Sequence, residues 1–292
     1  QFSLPLVRGL HLSAADEKGD AVKLGKGLRK LLANMRNPEN LDFPVPESLV
    51  PVLRDYQQYG FQWLKTLAHY RFGGILADDM GLGKTLQSIT FLLSELPDIR
   101  QGGQPALIVA PASLIYNWQN ELKKFTPEIK AVIADGSLTE RTRILRNTAK
   151  ADVIITSYPL LRRDINLYAK KSFHTLILDE AQVIKNHVTQ TAQAVRALQA
   201  RYRFALTGTP VENALEDLWS IYAAIFPVLF PSSKKAFHDL PREVVAKRIR
   251  PFLLRRLKSD VLKELPDKIE SLQASELLPE QKKLYVAYLA RL

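Results

Sequence analysis

The chain of 292 residues carries 41 Lys and Arg against 30 Asp and Glu, a formal net charge of +11 with a pI near 9.7. Hydrophobic residues make up 46% of it, which predicts a globular protein with a large core and excludes a disordered one. The absence of cysteine excludes disulfides and thiolate metal sites, and no apolar run reaches the ~18 residues of a membrane span. The positive charge favours a polyanionic partner, nucleic acid before an anionic membrane surface, although some soluble proteins are simply basic.

The first 50 residues resemble an irregular leader with one helix and a proline-rich linker. Leucines spaced along residues 23–35 predict a basic amphipathic helix that ends at Asn37-Pro38. Pro44, Pro46 and Pro51 mark an extended linker after it. The chain starts at Gln1 without a signal-peptide pattern, which favours a piece of a longer protein.

From Leu53 onward, short apolar strands alternate with helical segments. Helices are predicted near residues 56–69, 86–96, 114–124, 139–149 and 189–200. Strands are predicted at 74–77, 106–110, 131–134, 152–156, 175–178 and 204–207. This alternation predicts an α/β fold with a mainly parallel sheet covered by helices on both faces, and a site at the carboxyl ends of the strands.

The pattern changes after residue 214. A helix at residues 215–225 completes a lobe predicted for residues 51–225, and Phe-Pro pairs end that helix. Residues 226–250 predict a short, charged helical protrusion as an appendage. Residues 251–292 predict a basic brace and the start of a connection to further chain.

The most informative segment is Asp78-Asp79-Met80-Gly81-Leu82-Gly83-Lys84-Thr85, which has the pattern of a phosphate-binding loop. Gly81 and Gly83 let the backbone turn so that N–H groups converge on phosphates, while Lys84 supplies a charge and Thr85 a hydroxyl for Mg²⁺. The usual pattern, G-x-x-x-x-G-K-S/T, has Asp78 in place of its first glycine, so a chance glycine-rich turn is the alternative. The loop lies between a predicted strand and a predicted helix, and this order of strand, loop and helix places a helix N-terminus against a bound anion.

A pair of acids follows the strand predicted at 175–178. Asp179 is suited to hold Mg²⁺, directly or through water, and Glu180 is placed to polarise an attacking water. Two solvated acids at the end of a strand are the alternative. The phosphate loop upstream in the same α/β pattern favours a nucleotide hydrolase.

Taken together, these segments resemble the motif blocks of the switch/sucrose-non-fermenting (SWI/SNF-type) ATPases, DNA-dependent motors of helicase superfamily 2. The resemblance extends from Leu53 to Lys268 and rests on blocks in a fixed order. Besides the loop, they are Leu53-Arg54-Asp55-Tyr56-Gln57, Gly60, Trp63-Leu64, Ala110-Pro111-Ala112-Ser113-Leu114, Asn117-Trp118, Ile155-Thr156-Ser157-Tyr158, Asp179-Glu180-Ala181-Gln182, Ile184-Lys185-Asn186, Leu206-Thr207-Gly208-Thr209-Pro210, Asn213 and Pro251-Phe252-Leu253-Leu254-Arg255-Arg256. Asp79 stands where glutamate is commonest in that family.

The resemblance implies a RecA-like lobe that clamps ATP and Mg²⁺ against a second lobe. By position, the implied ATP-binding residues are Gln57, whose amide would read the adenine edge, and Asp79, Met80, Gly81, Leu82, Gly83, Lys84 and Thr85. Thr85 and Asp179 would hold the metal, and Glu180, Lys84 and Asp179 would carry the catalysis. A glutamine on a helix surface is the alternative for Gln57.

The same resemblance implies DNA contacts and a coupling block. The expected DNA-binding residues are Pro111, Ser113, Thr156, Ser157 and Asn213, because hydroxyl side chains and loop N–H groups suit sequence-independent phosphate contacts. Gln182, Thr207, Gly208 and Thr209 are expected to couple the nucleotide state to the grip on DNA, although a Gly-Thr-Pro turn has a sufficient structural explanation. Trp118 is expected in the core. The basic run from Lys247 to Lys258 is expected to brace the lobes, with a DNA-facing stripe or a solvated helix as alternatives.

The expected function is the first motor lobe of an ATP-dependent translocase or remodeller on double-stranded DNA. Its partners would be duplex DNA, its own second lobe and a protein cargo, with no membrane. An RNA-dependent helicase lobe and a degenerate nucleic-acid-binding scaffold remain alternatives. The lobe alone is expected to hydrolyse ATP negligibly, because the arginines of the second lobe would be missing. The expected location is the cytoplasm or nucleoid of a bacterium, or the nucleus of a eukaryote.

Overall fold

The computed structural model describes residues 26–208 and 215–261, with residues 26–28 described by their backbone alone. Helix α1 (Lys26–Arg36) lies inside the predicted leader and buries Leu31 and Met35, as its apolar spacing predicts. Two short 3-10 turns, Pro38–Leu41 and Glu47–Leu49, carry the chain to helix α2 (Asp55–Tyr70). The rest of the predicted leader, residues 1–25, lies outside the described residues.

A seven-stranded parallel sheet forms the centre of the described chain. Its strands stand in the order β3-β4-β2-β5-β6-β1-β7. They are β1 (Gly74–Leu76), β2 (Ala106–Ala110), β3 (Ala131–Ile133), β4 (Val153–Ser157), β5 (Ser172–Leu178), β6 (Gln199–Leu206) and β7 (Leu253–Leu254). The six predicted strands are all present, because each contains an apolar run, and the sheet buries both faces of central strands such as β2 and β4. Strand β7 was not predicted, since two residues are too few to give a pattern.

Ten further helices of the described chain connect or follow these strands. They are α3 (Lys84–Ser94), α4 (Leu96–Gly102), α5 (Ile115–Phe125), α6 (Leu138–Arg146), α7 (Tyr158–Arg163), α8 (Ile165–Tyr168), α9 (Gln190–Arg196), α10 (Leu215–Ile225), α11 (Lys234–His238) and α12 (Arg242–Ile249). Several begin at a serine or threonine whose hydroxyl accepts a backbone N–H, as Ser137 and Thr189 do.

The helices cover both faces of the sheet, as predicted. The connections from β1 to β2 and from β2 to β3 run toward the β3 edge, and the later connections run toward the β7 edge. Right-handed crossovers therefore place the two sets of helices on opposite faces. In agreement, α3 packs on α2 and α5, whereas α9 packs on α7 and α10.

The strand order brings three loops together at the carboxyl ends of neighbouring strands. Strands β5, β6 and β1 are adjacent and parallel, so the segments that follow Leu178, Leu206 and Leu76 leave the sheet side by side. These segments contain the acid pair, the expected coupling block and the phosphate loop. The sheet thus assembles a site from positions up to 130 residues apart, which is the difference between Leu76 and Leu206.

The described residues after position 225 pack on the same core as the predicted lobe. Phe226 and Phe252 are buried with ring centroids 4.9 Å apart, and Phe72 stacks on Phe226 at 5.5 Å. Helices α11 and α12 agree with the helical character predicted for residues 226–250. In residues 26–208 and 215–261, no helix is both long and apolar enough to span a bilayer.

Candidate nucleotide-binding site

The phosphate loop lies between the end of β1 and the start of α3. Gly81 and Gly83 have φ angles of 88° and 86°, in the left-handed region that a side chain disfavours. Gly83 is the N-cap of α3, so the helix begins at Lys84 with its free N–H groups facing the turn. This geometry agrees with the predicted loop, in which Met80 is 74% exposed and Leu82 is buried.

Lys84 turns back over the loop. Its Nζ donates a hydrogen bond of 2.7 Å to the backbone carbonyl of Asp78. Burial lowers the pKa of the Lys84 ammonium, while the carboxylates of Asp78, Glu180 and Asp179 act in the opposite direction. The lysine and the acid pair therefore share one electrostatic environment, although about ninety residues separate them.

Asp179 follows β5 and is held by donors on two sides. Its Oδ2 accepts a 2.8 Å hydrogen bond from the indole N–H of Trp118, and its Oδ1 accepts the backbone N–H of Glu180. Burial raises the pKa of the Asp179 carboxyl, the hydrogen bond from Trp118 lowers it, and the net shift is upward. Trp118 is buried, as expected, and also fixes the orientation of the candidate metal ligand.

Glu180 has a φ angle of 46°, which is unusual for a residue other than glycine. Its Oε2 accepts a 2.5 Å hydrogen bond from the side-chain amide of Gln182. Gln182 in turn accepts a 2.8 Å hydrogen bond from the hydroxyl of Thr207 at the end of β6. A chain of hydrogen bonds thus joins the expected coupling block to the candidate catalytic carboxylate.

Gly208 completes this side of the site. A Cβ atom at Gly208 would lie 3.7 Å from the Lys84 ammonium, so the β6 loop passes close to the phosphate loop. Thr209 and Asn213, expected in coupling and DNA binding, lie outside the described residues.

An open cleft of about 420 Å³ joins these groups. Its lining includes residues of the loop (Gly81, Gly83, Lys84 and Thr85), of α5 (Asn117, Trp118 and Glu121) and of the acid pair (Asp179 and Glu180). The Thr85 hydroxyl and the Asp179 carboxylate are hard oxygen donors of the kind Mg²⁺ prefers, and the loop glycines leave room for phosphates. Glu121 was not predicted; its carboxyl has a raised pKa because it is partly buried, and a helix-surface glutamate gives no signal of this position.

Gln57 lies against the phosphate loop. Its Nε2 donates a 3.2 Å hydrogen bond to the carbonyl of Leu82, and its Oε1 accepts the backbone N–H of Arg54. A Cβ atom at Gly83 would lie 2.5 Å from the Gln57 Nε2, so the close approach itself requires glycine at that position. Gln57 is thus beside the loop, with both ends of its amide bonded inside the protein.

The expected DNA-binding residues fall into two groups. Pro111 and Ser113 lie at the carboxyl end of β2, where Ser113 is exposed. Thr156 and Ser157 are buried, and the Ser157 hydroxyl accepts the Leu160 N–H at the start of α7. The expectation that these two hydroxyls contact DNA does not fit their burial, because both point into the lobe.

Arg256, a member of the basic run, forms its ion pair within the lobe. Its guanidinium forms a 2.6 Å ion pair with Asp78, the residue at the position of the missing loop glycine. Asp78 is fully buried. No local sequence pattern indicates this pair, since 178 residues separate its members.

The fold and the site define a RecA-like lobe of the P-loop nucleotide-binding class. Residues 56–291 match the family model of the SNF2-related domain, and the chain belongs to that family. A protein of Mycoplasma pneumoniae described as an uncharacterized ATP-dependent helicase is 39% identical over 257 residues, covering 86% of this chain and 25% of the helicase. The TATA-binding protein-associated factor MOT1 of Saccharomyces cerevisiae is 34% identical over 322 residues, covering 98% of this chain and 17% of MOT1.

A solved structure supports the same assignment. The Sulfolobus solfataricus SWI2/SNF2 ATPase core in complex with dsDNA matches with a TM-score of 0.65 and 30% identity, covering 82% of this chain and 57% of that one. The chain therefore spans only part of each of these relatives.

Proposed function

We propose that this chain is the first motor lobe of an ATP-dependent translocase that acts on double-stranded DNA. The observation that carries the proposal is the convergence of Lys84, Thr85, Asp179 and Glu180 on one cleft. A nucleic-acid-binding scaffold has no chemical need for these four groups together.

In this proposal the chain's own residues bind and orient the nucleotide. The loop N–H groups and Lys84 hold the phosphates, and Gln57 reads the adenine edge after its amide leaves its present partners. Thr85 and Asp179 would hold Mg²⁺, which supplies charge neutralisation at the phosphates when bound. Glu180 accepts a proton from the attacking water, and Gln182 keeps its carboxylate aimed at the cleft.

Duplex DNA is the proposed track, contacted through its phosphates. The support is the net charge of +11, the exposed Ser113, and the matched Sulfolobus solfataricus ATPase core, which is in complex with dsDNA. The second lobe is proposed to come from the part of the protein that this chain does not span. Its arginines would complete the site, and an arginine finger contributes ~10³-fold or more to the rate of phosphoryl transfer.

The test compares ATPase rates of the full-length protein with duplex DNA, single-stranded DNA, RNA and no nucleic acid. Stimulation by duplex DNA above all others is expected. A preference for RNA would replace the proposal with an RNA helicase, and no turnover under any condition would favour a scaffold.

Two variants assign the chemistry. Lys84→Ala should abolish nucleotide binding, whereas Glu180→Gln should keep binding and reduce turnover by about 100-fold or more, as for loss of a general base. Equal activity of Glu180→Gln and wild type would contradict the role of Glu180.

A further inference from the structure

The short strand β7 is attached to the strand that leads into the phosphate loop. Leu253 and Leu254 pair with Ile75 and Leu76 of β1. The pairing continues beyond the strands, because the N–H of Ala77 donates to the Leu254 carbonyl at 2.8 Å. The N–H of Asp79 likewise donates to the Arg256 carbonyl at 3.0 Å, so the first half of the loop follows the path of residues 254–256.

Arg256 neutralises a carboxylate buried under the loop. Its Nε lies 2.9 Å from Asp78 Oδ1 and its Nη2 lies 2.6 Å from Asp78 Oδ2, a two-point contact that matches the planar fork of arginine. The backbone N–H of Arg256 donates to the same Oδ1 at 2.9 Å. Asp78 is inaccessible to solvent, so the guanidinium, rather than water, balances its charge.

The guanidinium also joins the two helices beside the loop. On α2 it donates to the carbonyl of Tyr56 and lies 5.2 Å above the ring of that tyrosine. On α3 it donates to the side-chain oxygen of Gln87, whose amide donates to the Gly83 carbonyl at 3.0 Å. Arg256 thus contacts the start of the loop, the helix that follows the loop and the helix that carries Gln57.

A glycine provides the space for these contacts. A Cβ atom at Gly60 on α2 would overlap the Gln87 oxygen and lie 2.8 Å from Arg256 Nη2. Lys258 adds a second attachment, because its backbone N–H donates to Asp79 Oδ2 at 2.8 Å. The two acids at the start of the loop are therefore both held by the chain that leaves the sheet after β7.

This arrangement matters for an anionic ligand. Asp78 lies at the start of the loop proposed to hold phosphates, and its carbonyl accepts a hydrogen bond from the Lys84 ammonium. Without a counter-ion, the buried carboxylate would repel the phosphates and compete with them for Lys84. A neutral residue at this position would create no such need.

We propose that Arg256 is a positioning residue of the nucleotide site, which sets the shape and charge of the phosphate loop and ties both to the chain beyond β7. The proposal rests on the proposed ATP binding at this loop. It makes nucleotide affinity depend on a residue that follows the whole sheet in sequence and does not line the cleft.

The test measures how tightly the protein binds mant-ATP, a fluorescent ATP analogue, in the presence of Mg²⁺. The melting temperature of the same protein samples is measured alongside the dissociation constant. Arg256→Gln should weaken binding at least tenfold, and Arg256→Lys should weaken it less because the charge remains. The double variant Asp78→Asn with Arg256→Gln should recover most of the affinity, because no buried charge is left unpaired.

The matched control is Arg141→Gln. Arg141 forms a two-point ion pair with the buried Asp164, at 2.7 and 3.1 Å, beside β3 and β4 near the other edge of the sheet. This variant should lower the melting temperature and leave mant-ATP affinity unchanged, which is the pattern of a purely structural pair.

The outcomes separate the two proposals. If Arg256→Gln behaves like Arg141→Gln, with a lower melting temperature and a wild-type affinity for mant-ATP, the positioning role is wrong. If Arg256→Gln does not fold, Arg256→Lys and the double variant are judged on the same criterion. If the wild type itself does not bind mant-ATP, it is the proposed function that fails.

Discussion

Two side chains outside the acid pair hold the candidate metal ligand in place. The indole of Trp118 donates to the Asp179 carboxylate, and the hydroxyl of Tyr158 donates to the Asp179 backbone carbonyl at 2.6 Å. Both aromatic residues are buried, so their polar atoms need partners inside the protein. Asp179 therefore keeps one orientation while its second carboxylate oxygen also accepts a backbone N–H.

Replacing Trp118 by phenylalanine tests this arrangement. Loss of a hydrogen bond to a charged group costs about 1.5–3 kcal/mol, so the affinity for Mg²⁺–nucleotide should fall by about tenfold or more. The measurement is a nucleotide titration at fixed Mg²⁺.

The control for Trp118→Phe is Trp219→Phe, which removes a 2.9 Å hydrogen bond to the Pro231 carbonyl away from the cleft. Trp219→Phe should reduce stability without changing nucleotide affinity. Equal affinities of the two variants would show that Trp118 only fills the core.

Glu180 adopts a backbone conformation that favours glycine. A left-handed residue with a side chain costs about 1–2 kcal/mol, and here strand β5 and the 3-10 turn Ala181–Ile184 hold it there. Such strain is typical of sites where geometry is imposed by the surrounding fold. It turns the chain so that consecutive acids face the same cleft.

Adjacent strands, rather than adjacent residues, make the proposed coupling path. The hydroxyl of Thr207 leaves β6 and bonds to Gln182, which follows β5 and bonds to Glu180. Thr207 itself is tied to β1, because its N–H donates to the Leu76 carbonyl at 3.1 Å. In the proposed path, a movement of the β6 loop would alter the hydrogen bonds that reach the candidate general base.

Thr207→Val removes the hydroxyl and keeps the branched shape that β6 needs. The Gln182 oxygen loses its donor, a loss of about 1 kcal/mol, so DNA-stimulated turnover of the full-length protein should fall roughly fivefold to tenfold. Nucleotide affinity should stay within twofold of wild type. Steady-state ATPase assays with and without duplex DNA measure both.

Thr66→Val serves as the control for Thr207→Val, since the buried Thr66 hydroxyl donates to Gln62 in its own helix. Its turnover should match wild type. A Thr207→Val enzyme with unchanged DNA stimulation would remove this path from the mechanism.

Glu95 contributes to the stability of the lobe at low pH. It follows the last residue of α3, at the other end of that helix from the phosphate loop. Burial alone would raise the pKa of Glu95, but the neighbouring His174 and Lys65 outweigh it and hold this pKa at about 2, below the ordinary 4.5. Lys65 Nζ lies 2.9 Å from one carboxylate oxygen and His174 Nε2 lies 3.5 Å from the other. Asp98 is the remaining acid of this cluster.

A folded-state pKa below the unfolded one means that the stabilisation is fully present above the unfolded pKa. It is lost as pH falls from about 4.5 toward 2. Glu95→Gln should therefore lower the free energy of unfolding by about 1–3 kcal/mol at pH 7. The difference from wild type should shrink between pH 4.5 and 2.

Urea denaturation at a series of pH values measures this difference. Asp98→Asn, at an exposed position, is the control and should change stability little. A Glu95→Gln difference that does not vary with pH would contradict the depressed pKa.

Binding to duplex DNA through phosphates predicts a strong dependence on salt. Each neutralised phosphate contributes a slope of about −0.9 to the plot of log affinity against log salt, so contacts with two or more phosphates should lower the affinity at least about tenfold between 50 and 200 mM salt. Affinity should also be the same for duplexes of different sequence. Fluorescence anisotropy with two unrelated duplexes tests both, and a salt-independent or sequence-specific interaction would contradict the proposed contacts.

Local patterns were enough to predict most of the architecture. Six strands followed from apolar runs, because a parallel sheet covered by helices buries both faces of its central strands. The phosphate loop followed from Gly81, Gly83 and Lys84, since positive φ angles and an ammonium at fixed spacing are local requirements. The Thr207 hydroxyl donates to the Gln182 side chain, so two members of the expected coupling block are in contact.

Contacts between segments that are distant in the sequence could not be predicted from local patterns. The Asp78–Arg256 pair, the Trp118–Asp179 hydrogen bond and strand β7 each join residues whose local sequence is unremarkable alone. The inward hydroxyls of Thr156 and Ser157 belong to the same class, because burial depends on which helices cover the end of β4. Residue spacing sets the local backbone and the chemistry that each loop carries, whereas the order of strands in the sheet sets which loops meet, and that order comes from packing the entire chain.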